Sequence, residues 1–314
     1  MLEEDLKLCH AATNTTAAKT TIAATFSAAS ITNTATPAIL TTAVVHTCKI
    51  IVQAAAAAKT ATALFKQIQQ CFKKTIRQSF KEESRTSGRE PLVLSAALEA
   101  DIEDAKTYYQ IKQVGRLVDF ACLMAYDMHG YWNLTAGAQH HSPLFPEIRS
   151  SIRSWLAAGF PKDKLVVTVS ASGRSFTLVS APVGSGVGQP VQGAGRVGDR
   201  TGEEGLLDYG EICEYLDSNT WRREWLPDRS VPVAMGNSSD GWQWVGYDDP
   251  ESFSRKAQFV RTENLAGVAL WTLEHDDFNG ECGQGDWPLL RTLWEQLNPS
   301  TRSVWQLKLE KKTT

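Results

Sequence analysis

The amino-terminal part of this 314-residue chain lacks the residue types from which folded domains are usually built. All 22 glycines lie from Gly88 onward, tyrosine first occurs at Tyr108, and tryptophan first occurs at Trp132. Alanine and threonine occupy 32 of the 53 positions between residues 11 and 63. Such a segment has few large side chains whose burial could offset the entropy lost on ordering.

These shortages predict three regions. Residues 1–61 are interpreted as a disordered, low-complexity head, and residues 62–300 as the globular body. Residues 301–314 form a short tail. The functional argument therefore concerns the body, which holds nine of the ten tryptophans; with 42% hydrophobic residues over the whole chain, there is enough material for a sizeable core.

The net charge and the cysteine content are also low, and this excludes several function classes. Lys and Arg total 32 against 35 Asp and Glu, so a net charge of −3 gives no general reason to bind nucleic acid or an anionic membrane. Six cysteines are too few for a disulfide scaffold and too scattered for a zinc ribbon. No cofactor or metal is expected.

The head does not have the pattern of a targeting or membrane segment. The chain begins Met-Leu-Glu-Glu-Asp, which is acidic where a secretory signal peptide needs basic residues. The apolar stretch over residues 44–58 is interrupted by His46, Lys49 and Gln53 and is too short to span a bilayer comfortably. We therefore expect neither a signal peptide nor a membrane helix.

The body alternates helical patterns with short apolar runs. Apolar residues at a spacing of four predict one amphipathic helix that ends near Ser87 and Gly88: Leu64, Ile68, Phe72, Ile76 and Phe80. Runs of buried-strand type follow at residues 92–98, 120–127, 165–169 and 267–273. Further helices are predicted at residues 102–114, 148–158, 252–264 and 288–297. This alternation predicts an α/β fold with a parallel sheet.

Residues 178–246 have a different texture and predict an α+β insertion domain. Glycine, proline and turn residues dominate, with short aromatic runs such as Gly241-Trp242-Gln243-Trp244. Polar residues instead gather where the predicted parallel strands end, at Tyr126, Asp127, Arg174, Glu274, Asp276 and Asp277. In a (β/α) barrel the carboxyl ends of the strands form the active face.

Several motifs in the body resemble glycoside hydrolase family 18, the chitinases. Val118-Asp119-Phe120 leading to Met124-Ala125-Tyr126-Asp127-Met128-His129-Gly130 is similar to the sixth barrel strand of that family, and Gly173-Arg174-Ser175-Phe176 to its seventh. The segments 244–249 and 267–278 resemble the approach to the eighth strand and that strand itself, and residues 80–98 resemble the fourth helix and fifth strand. The resemblance implies a partial (β/α)8 TIM barrel made of strands five to eight.

The resemblance also implies a binding site for N-acetylglucosamine polymers. In this family the N-acetyl carbonyl of the sugar attacks its own anomeric carbon, so the protein must hold that group. Tyr126 matches the tyrosine that bonds the carbonyl, Met124 the residue under the same sugar, and Trp271 the aromatic floor. The substrate-binding positions that match the family are Met124, Tyr126, Asp127, Trp132, Arg174, Glu203 and Trp271.

Each of these residues also has a purely structural interpretation. Met124, Tyr126 and Trp271 lie in apolar strands and could be core residues, and Asp127 could cap a helix. Asp276 and Asp277 are interpreted as structural rather than catalytic. His129, His140 and His141 suggest a metal site, but this spacing lacks a third anchored ligand, so no metal is expected. The co-occurrence of motifs, rather than any single residue, favours the sugar site.

The catalytic segment of the family is missing from this sequence. Family members carry Asp-x-x-Asp-x-Asp-x-Glu on the fourth strand, where the glutamate protonates the glycosidic oxygen. Here residues 6–100 contain no aspartate and residues 5–81 no glutamate. Ser172 and Ser170 also replace a family tyrosine and proline. With no catalytic residue, the chain is expected to be inactive and to bind chitooligosaccharides weakly at most.

Two other interpretations stay open at this point. The chain could be an incomplete form of an active secreted endochitinase, or a half-barrel interaction protein that pairs with a second chain through exposed strand edges. The family resemblance implies an extracellular location. It also implies a disulfide between Cys213 and Cys282, because family members carry one between these two motifs.

Overall fold

The computed structural model describes residues 76–218 and 220–298 of the chain. These residues fall into two compact units, the first comprising 76–97 and 101–119 and the second 98–100 and 120–298. The head at 1–61, the tail at 301–314 and the first part of the predicted amphipathic helix lie outside the described residues. The second unit contains every candidate site residue.

The helices have the following bounds. Residues 76–87 are helical and are called α1. The other helices are α2 Ile102–Tyr108, α3 Ile111–Leu117, α4 Arg149–Ala157, α5 Tyr209–Asp217, α6 Pro250–Thr262 and α7 Pro288–Leu297. Gly88 ends the first helix as expected, and Gly159 ends the helix predicted over 148–158 in the same way. Gly88 and Gly159 both adopt positive φ, which a residue without a Cβ tolerates, and each donates its N–H to a carbonyl of the last helical turn.

The strands form two separate sheets. They are β1 Ser95–Glu99, β2 Phe120–Met124, β3 Leu165–Ser170, β4 Ser172–Leu178, β5 Val191–Ala194, β6 Leu206–Asp208, β7 Trp221–Leu226, β8 Val231–Ser238, β9 Gly241–Gly246 and β10 Gly267–Trp271. The first sheet has the order β1-β2-β3-β10. Both β2 and β10 run parallel to β3, which confirms the expected parallel sheet.

The carboxyl ends of these parallel strands lie side by side. In the register of the sheet Met124 is opposite Thr168, and Trp271 is opposite Ser170. The central strand β3 is almost completely buried, as its continuous apolar run requires. Strand β10 lies at one edge of the order and is only partly buried. The residues that follow β2 and the last residue of β10 therefore lie at the same end of the sheet, where the parallel strands have their carboxyl ends.

The second sheet is antiparallel and corrects one boundary. Its order is β5-β4-β9-β8-β7, with β6 also paired to β4. Its core contains Phe176, Leu178, Val233, Met235 and Trp244. The insertion was expected to begin near residue 178, but β4 already belongs to this sheet from Ser172 onward. Arg174 therefore lies on an antiparallel strand and not at the end of a parallel one.

Two other element boundaries predicted from the sequence were wrong. The strand expected over 92–98 starts only at Ser95 and runs to Glu99. The single helix expected over 102–114 is two helices, because Tyr109 between them is extended and its side chain is buried. Asp101 begins the first of them by accepting the N–H groups of Glu103 and Asp104.

The expected disulfide is present. Cys213 in α5 and Cys282 in the loop after β10 are bonded, with a Cα–Cα distance of 5.5 Å. Asp277 accepts the backbone N–H groups of Glu281 and Cys282, and Asp276 accepts those of Leu289 and Leu290. These bonds favour the structural interpretation of both aspartates. In the part of the chain that the structure describes, no helix is long and apolar enough to cross a membrane.

Candidate functional site

The centre of the candidate site is an ion pair between Asp127 and Arg174. Asp127 follows β2, and Arg174 is the third residue of β4. Arg174 Nε donates to Asp127 Oδ1 at 2.8 Å and Nη2 donates to Oδ2 at 2.7 Å, a bidentate arrangement. Only 13% of the Arg174 side chain and 35% of the Asp127 side chain are exposed. The pair thus forms a fixed, partly desolvated charge centre.

The pKa values of the pair follow from this geometry. Burial alone would raise the pKa of Asp127, but the two hydrogen bonds and the positive charge of Arg174 outweigh it and hold the pKa well below its usual range. Burial would lower the pKa of Arg174, but the Asp127 carboxylate raises it above its usual value. Both groups are therefore charged at neutral pH. Neither is poised to exchange a proton.

Trp132 and Glu203 contact the same arginine. The guanidinium carbon of Arg174 lies 5.3 Å from the centre of the Trp132 ring, and Nη1 donates to Glu203 Oε1 at 3.3 Å. Trp132 is 53% exposed. A Cβ at Gly130 would overlap the Trp132 ring, so the indole depends on a glycine two residues before it. The structure thus brings together four of the predicted residues, including the distant Glu203.

Tyr126 and Met124 lie next to this group in the chain. Both are half-buried, and Met124 is the last residue of β2. Burial, followed by the negative charge of Asp127, raises the pKa of Tyr126 to about 12. The Tyr126 hydroxyl is therefore protonated across the physiological range and is able to donate a hydrogen bond to a neutral oxygen.

Trp271 ends β10 at the carboxyl edge of the parallel sheet. Its carbonyl accepts the N–H of Ala171 at 2.9 Å, which fixes its backbone to the residue after β3. Its side chain is 46% exposed, so Trp271 is not simply a core residue. An exposed indole offers the flat apolar face that suits the C–H face of a pyranose ring.

Sequence reasoning missed a buried polar group behind Asp127. His141 Nδ1 lies 3.3 Å from both the backbone nitrogen and Oδ1 of Asp127. Next to His141, Ser142 contacts the buried pair Asp248 and Lys256. The sequence carried one signal: Lys256 lies on the apolar face of α6, between Phe253 and Val260 at helical spacing.

The three histidines do not assemble a metal site. Among the described residues, no group of three or more His, Cys, Asp or Glu side chains is arranged to hold a metal ion. His140 instead contacts the carbonyl of Tyr247 at 2.8 Å and accepts the N–H of Ser142 at 3.0 Å. His141 is engaged with Asp127 as described above.

Comparison with known proteins finds, along most of the chain, the family that the sequence motifs resemble. The family model for glycosyl hydrolases family 18 matches residues 59–276. Chitotriosidase-1 of Mus musculus is 36% identical over 233 residues, which are 70% of this chain and 48% of that protein. Chitinase-3-like protein 2 of Homo sapiens is 34% identical over 232 residues, 70% of this chain and 57% of that protein. The chain thus spans about half the length of these curated relatives.

Solved structures agree with the sequence comparison. The structure of human YKL-39, described as a pseudo-chitinase with retained chitooligosaccharide binding, has a TM-score of 0.69 and 31% identity. The match covers 75% of this chain and 66% of that one. The chain therefore shares the TIM-barrel-like α/β fold of these proteins, and with the motifs at Tyr126, Asp127 and Trp271 in place it belongs to glycosyl hydrolase family 18.

Proposed function

We propose that this chain is a chitinase-like protein that binds N-acetylglucosamine oligomers weakly and does not hydrolyse them. The observation that carries the proposal is the pairing of a fixed charge centre with exposed indoles. Asp127 and Arg174 are bonded to each other, and Trp132 and Trp271 are about half exposed. Charged groups beside aromatic faces suit a sugar, which has hydroxyls at its rim and C–H groups on its faces. Human YKL-39 supports this assignment as a related pseudo-chitinase that binds chitooligosaccharides.

We assign the following contacts to the bound sugar. The neutral Tyr126 hydroxyl donates to the N-acetyl carbonyl, Met124 packs under the same ring, and Trp271 forms the floor. Asp127, Arg174 and Glu203 bond sugar hydroxyls, and Trp132 stacks on a neighbouring unit. No cofactor or metal takes part in any of these contacts.

Hydrolysis is not expected, because the sequence lacks the Asp-x-x-Asp-x-Asp-x-Glu segment. Loss of a general acid alone reduces a rate by about 10²- to 10⁴-fold. The purified chain should therefore release no fluorophore from a chitobioside or chitotrioside reporter above a blank. Turnover that disappears in Tyr126→Phe or Trp271→Ala would show that the chain is an active chitinase and overturn this part of the proposal.

Binding is tested by titrating N-acetylglucosamine oligomers against tryptophan fluorescence. We expect a saturable change with a Kd of about 1 mM, since one cleft wall supplies only about 4 kcal/mol. Trp271→Ala and Trp132→Ala should each weaken the interaction. Trp225→Phe is the matched control, because Trp225 lies on β7 and contacts Arg223 instead of the site. No saturable change at tens of millimolar would refute the binding function.

We also infer that the parallel sheet corresponds to strands five to eight of the family barrel. The order β1-β2-β3-β10 and the motifs on these strands support this assignment. A second candidate function follows from the edge position of β10 and the exposed side chains near it, which are Trp271, Leu273, Phe278 and Leu290. In that case the chain pairs with a second chain, and light scattering would show a mass above that of the monomer.

An extracellular location is part of the proposal. The disulfide between Cys213 and Cys282 supports it, because such bonds persist in oxidising compartments. Thiol labelling of the native protein, sought both in extracellular fluid and in cell lysate, is the test. Recovery in the lysate alone, with both thiols reduced, would contradict the assignment.

A further inference from the structure

We propose that His141 is a positioning residue for the Asp127–Arg174 pair, and that Ser142, Asp248 and Lys256 hold His141 in a single tautomer. The inference rests on the proposed function only for its sugar-binding measurement. Its other measurements are the tautomer of His141 and the solvent exchange of the Arg174 Nε proton, and neither depends on sugar binding. These four residues form a polar network that leads from the inside of the second unit to the candidate site.

The inner end of the network is a completely buried ion pair. Lys256 Nζ donates to Asp248 Oδ2 at 2.6 Å, and the exposed fractions of the two side chains are 1% and 0%. Lys256 Nζ also donates to the carbonyl of Ser142 at 2.7 Å and to its Oγ at 3.1 Å. All three ammonium protons therefore have acceptors. Two of the three acceptors belong to Ser142, so the lysine fixes both the backbone and the hydroxyl of that residue.

The hydroxyl of Ser142 has one proton, and its direction is determined by its neighbours. Ser142 Oγ donates to Asp248 Oδ2 at 2.7 Å, because a carboxylate only accepts. Its lone pairs are then left to accept from Lys256 and from His141 Nε2, which lies 3.5 Å away. At 3.5 Å this contact is at the upper limit of a hydrogen bond, and it forms one only when the proton of His141 is on Nε2.

The outer end of the network agrees with this assignment. With Nε2 protonated, Nδ1 of His141 carries a lone pair that accepts the backbone N–H of Asp127 at 3.3 Å, and the contact of Nδ1 with Asp127 Oδ1 at the same distance is then not a hydrogen bond. The neighbouring ring has the same tautomer: His140 Nδ1 accepts the Ser142 N–H, so its Nε2 donates to the carbonyl of Tyr247. The imidazole of His141 thus links Ser142 to the main chain at Asp127.

Asp127 needs such a support because its backbone is strained. Its φ of 58° lies in the left-handed region, which non-glycine residues rarely adopt unless surrounding contacts enforce it. The bond from its N–H to His141 is one of those contacts. The same residue holds Arg174 through two hydrogen bonds, so a change in the Asp127 backbone would move the arginine and its contacts with Trp132 and Glu203.

A purely structural role does not require an ion pair at this place in the interior. Apolar residues of similar volume often replace a buried ion pair without loss of stability. Apolar residues cannot make the hydrogen bonds that orient the Ser142 hydroxyl and, through it, the His141 imidazole. This favours a positioning role for Asp248 and Lys256.

The test is Ser142→Ala, which removes the hydroxyl but leaves the Lys256–Asp248 contact intact. Ser252→Ala is the matched control, because Ser252 Oγ donates to the other oxygen of Asp248 at 2.7 Å and does not contact His141. Long-range proton–nitrogen spectra of histidine-labelled protein report the tautomer, and His141→Asn assigns the signals. We expect Nε2 protonation in the parent chain and a shifted, exchange-broadened ring in Ser142→Ala alone.

Two further measurements report on the candidate site. Solvent exchange of the Arg174 Nε proton should accelerate about fivefold in Ser142→Ala, and oligomer affinity should fall by a similar factor, as for the loss of one hydrogen bond. If Ser142→Ala does not fold, Ser142→Cys fills the space with a weakly bonding sulfur and is measured in the same way.

The outcomes separate this inference from the proposed function. If the parent chain binds no sugar, the proposed function fails, while the histidine spectrum and the Arg174 exchange rate still test the network. A parent chain with its His141 proton on Nδ1 would overturn the inference. So would a Ser142→Ala variant whose His141 signals and Arg174 exchange match those of the parent chain.

Discussion

The guanidinium of Arg174 lies against the face of Trp132, with its central carbon 5.3 Å from the centre of the ring. The same guanidinium donates to both oxygens of Asp127. Stacking on an aromatic face while binding a carboxylate with two parallel bonds is possible for arginine and not for lysine. The exposed indole is therefore oriented by a buried charge contact.

Arg174→Lys is expected to release Trp132 while keeping the positive charge. The emission of Trp132 should shift toward that of a solvated indole, and affinity for N-acetylglucosamine oligomers should fall about tenfold. Difference spectra against Trp132→Phe and Trp132→Phe/Arg174→Lys isolate the signal of this residue. Arg222→Lys is the control, because Arg222 lies on β7 and pairs with Glu224. Equal emission and affinity in the variant and the parent would contradict the orienting role.

The completely buried His140 should make the protein less stable in acid. Burial lowers its pKa from the ordinary value of 6.5 to about 3, so between these values the unfolded chain binds a proton that the folded chain does not. Its contribution to stability is therefore complete above about pH 6.5 and is lost as the pH falls toward 3, with a slope of at most about 1.4 kcal/mol per pH unit.

Urea denaturation between pH 4 and 8 measures this slope. His140→Asn should be less stable at neutral pH but should have a flatter dependence on pH than the parent chain. Leu293→Ala, which removes buried apolar side-chain volume from α7 but no titratable group, should lower stability and keep the parent slope. Identical slopes in the parent chain and His140→Asn would show that this histidine does not contribute to the acid sensitivity.

Lys256→Met should destabilise the fold strongly, because it leaves the Asp248 carboxylate buried without its partner. The expected loss is about 3–5 kcal/mol in the free energy of unfolding. The double variant Lys256→Met/Asp248→Leu removes both charges and should recover much of this loss. Chemical denaturation of the two single variants and the double variant completes the cycle. A double variant no more stable than Lys256→Met would argue against charge burial as the cause.

Loss of the disulfide should lower stability without changing the fold. The bond joins residues 69 positions apart, for which the chain-entropy model gives about 4 kcal/mol as an upper figure. Cys213→Ser/Cys282→Ser should therefore melt at a lower temperature than the parent chain. Reductant should lower the Tm of the parent but not of the double variant. Cys122→Ser is the control, since Cys122 is a free cysteine on β2.

The sequence predicted best where the signal was local. The apolar run at Leu165–Val169 corresponds to β3, and the helix expected over 288–297 has those bounds in the structure. The segment Ser172–Leu178 was harder, because its polar residues resemble a loop and its strand forms only through pairing with β5, β6 and β9. Arg174 was thus recognised by its motif but was assigned to the wrong kind of strand.

The candidate site also contains residues that the local sequence predicted and residues that it could not predict. Tyr126, Asp127 and Trp271 lie in motifs that are read over a few residues, and the structure places them at strand ends as expected. The network behind them joins Ser142 to Asp248 and to Lys256, which are 106 and 114 positions further along the chain. Such contacts have no local pattern, because they depend on how α6 and the His140–Ser142 loop pack in three dimensions.

The bond between Cys213 and Cys282 has a practical consequence for handling the protein. The hairpin turn between β8 and β9, at residues 238–241, includes exposed residues at its tip and lies between the two half-cystines. A protease that cuts at this tip produces two fragments that remain covalently joined through sulfur. A nicked sample will therefore migrate as an intact chain on a non-reducing gel and separate into two bands only after reduction, so purity has to be judged under both conditions.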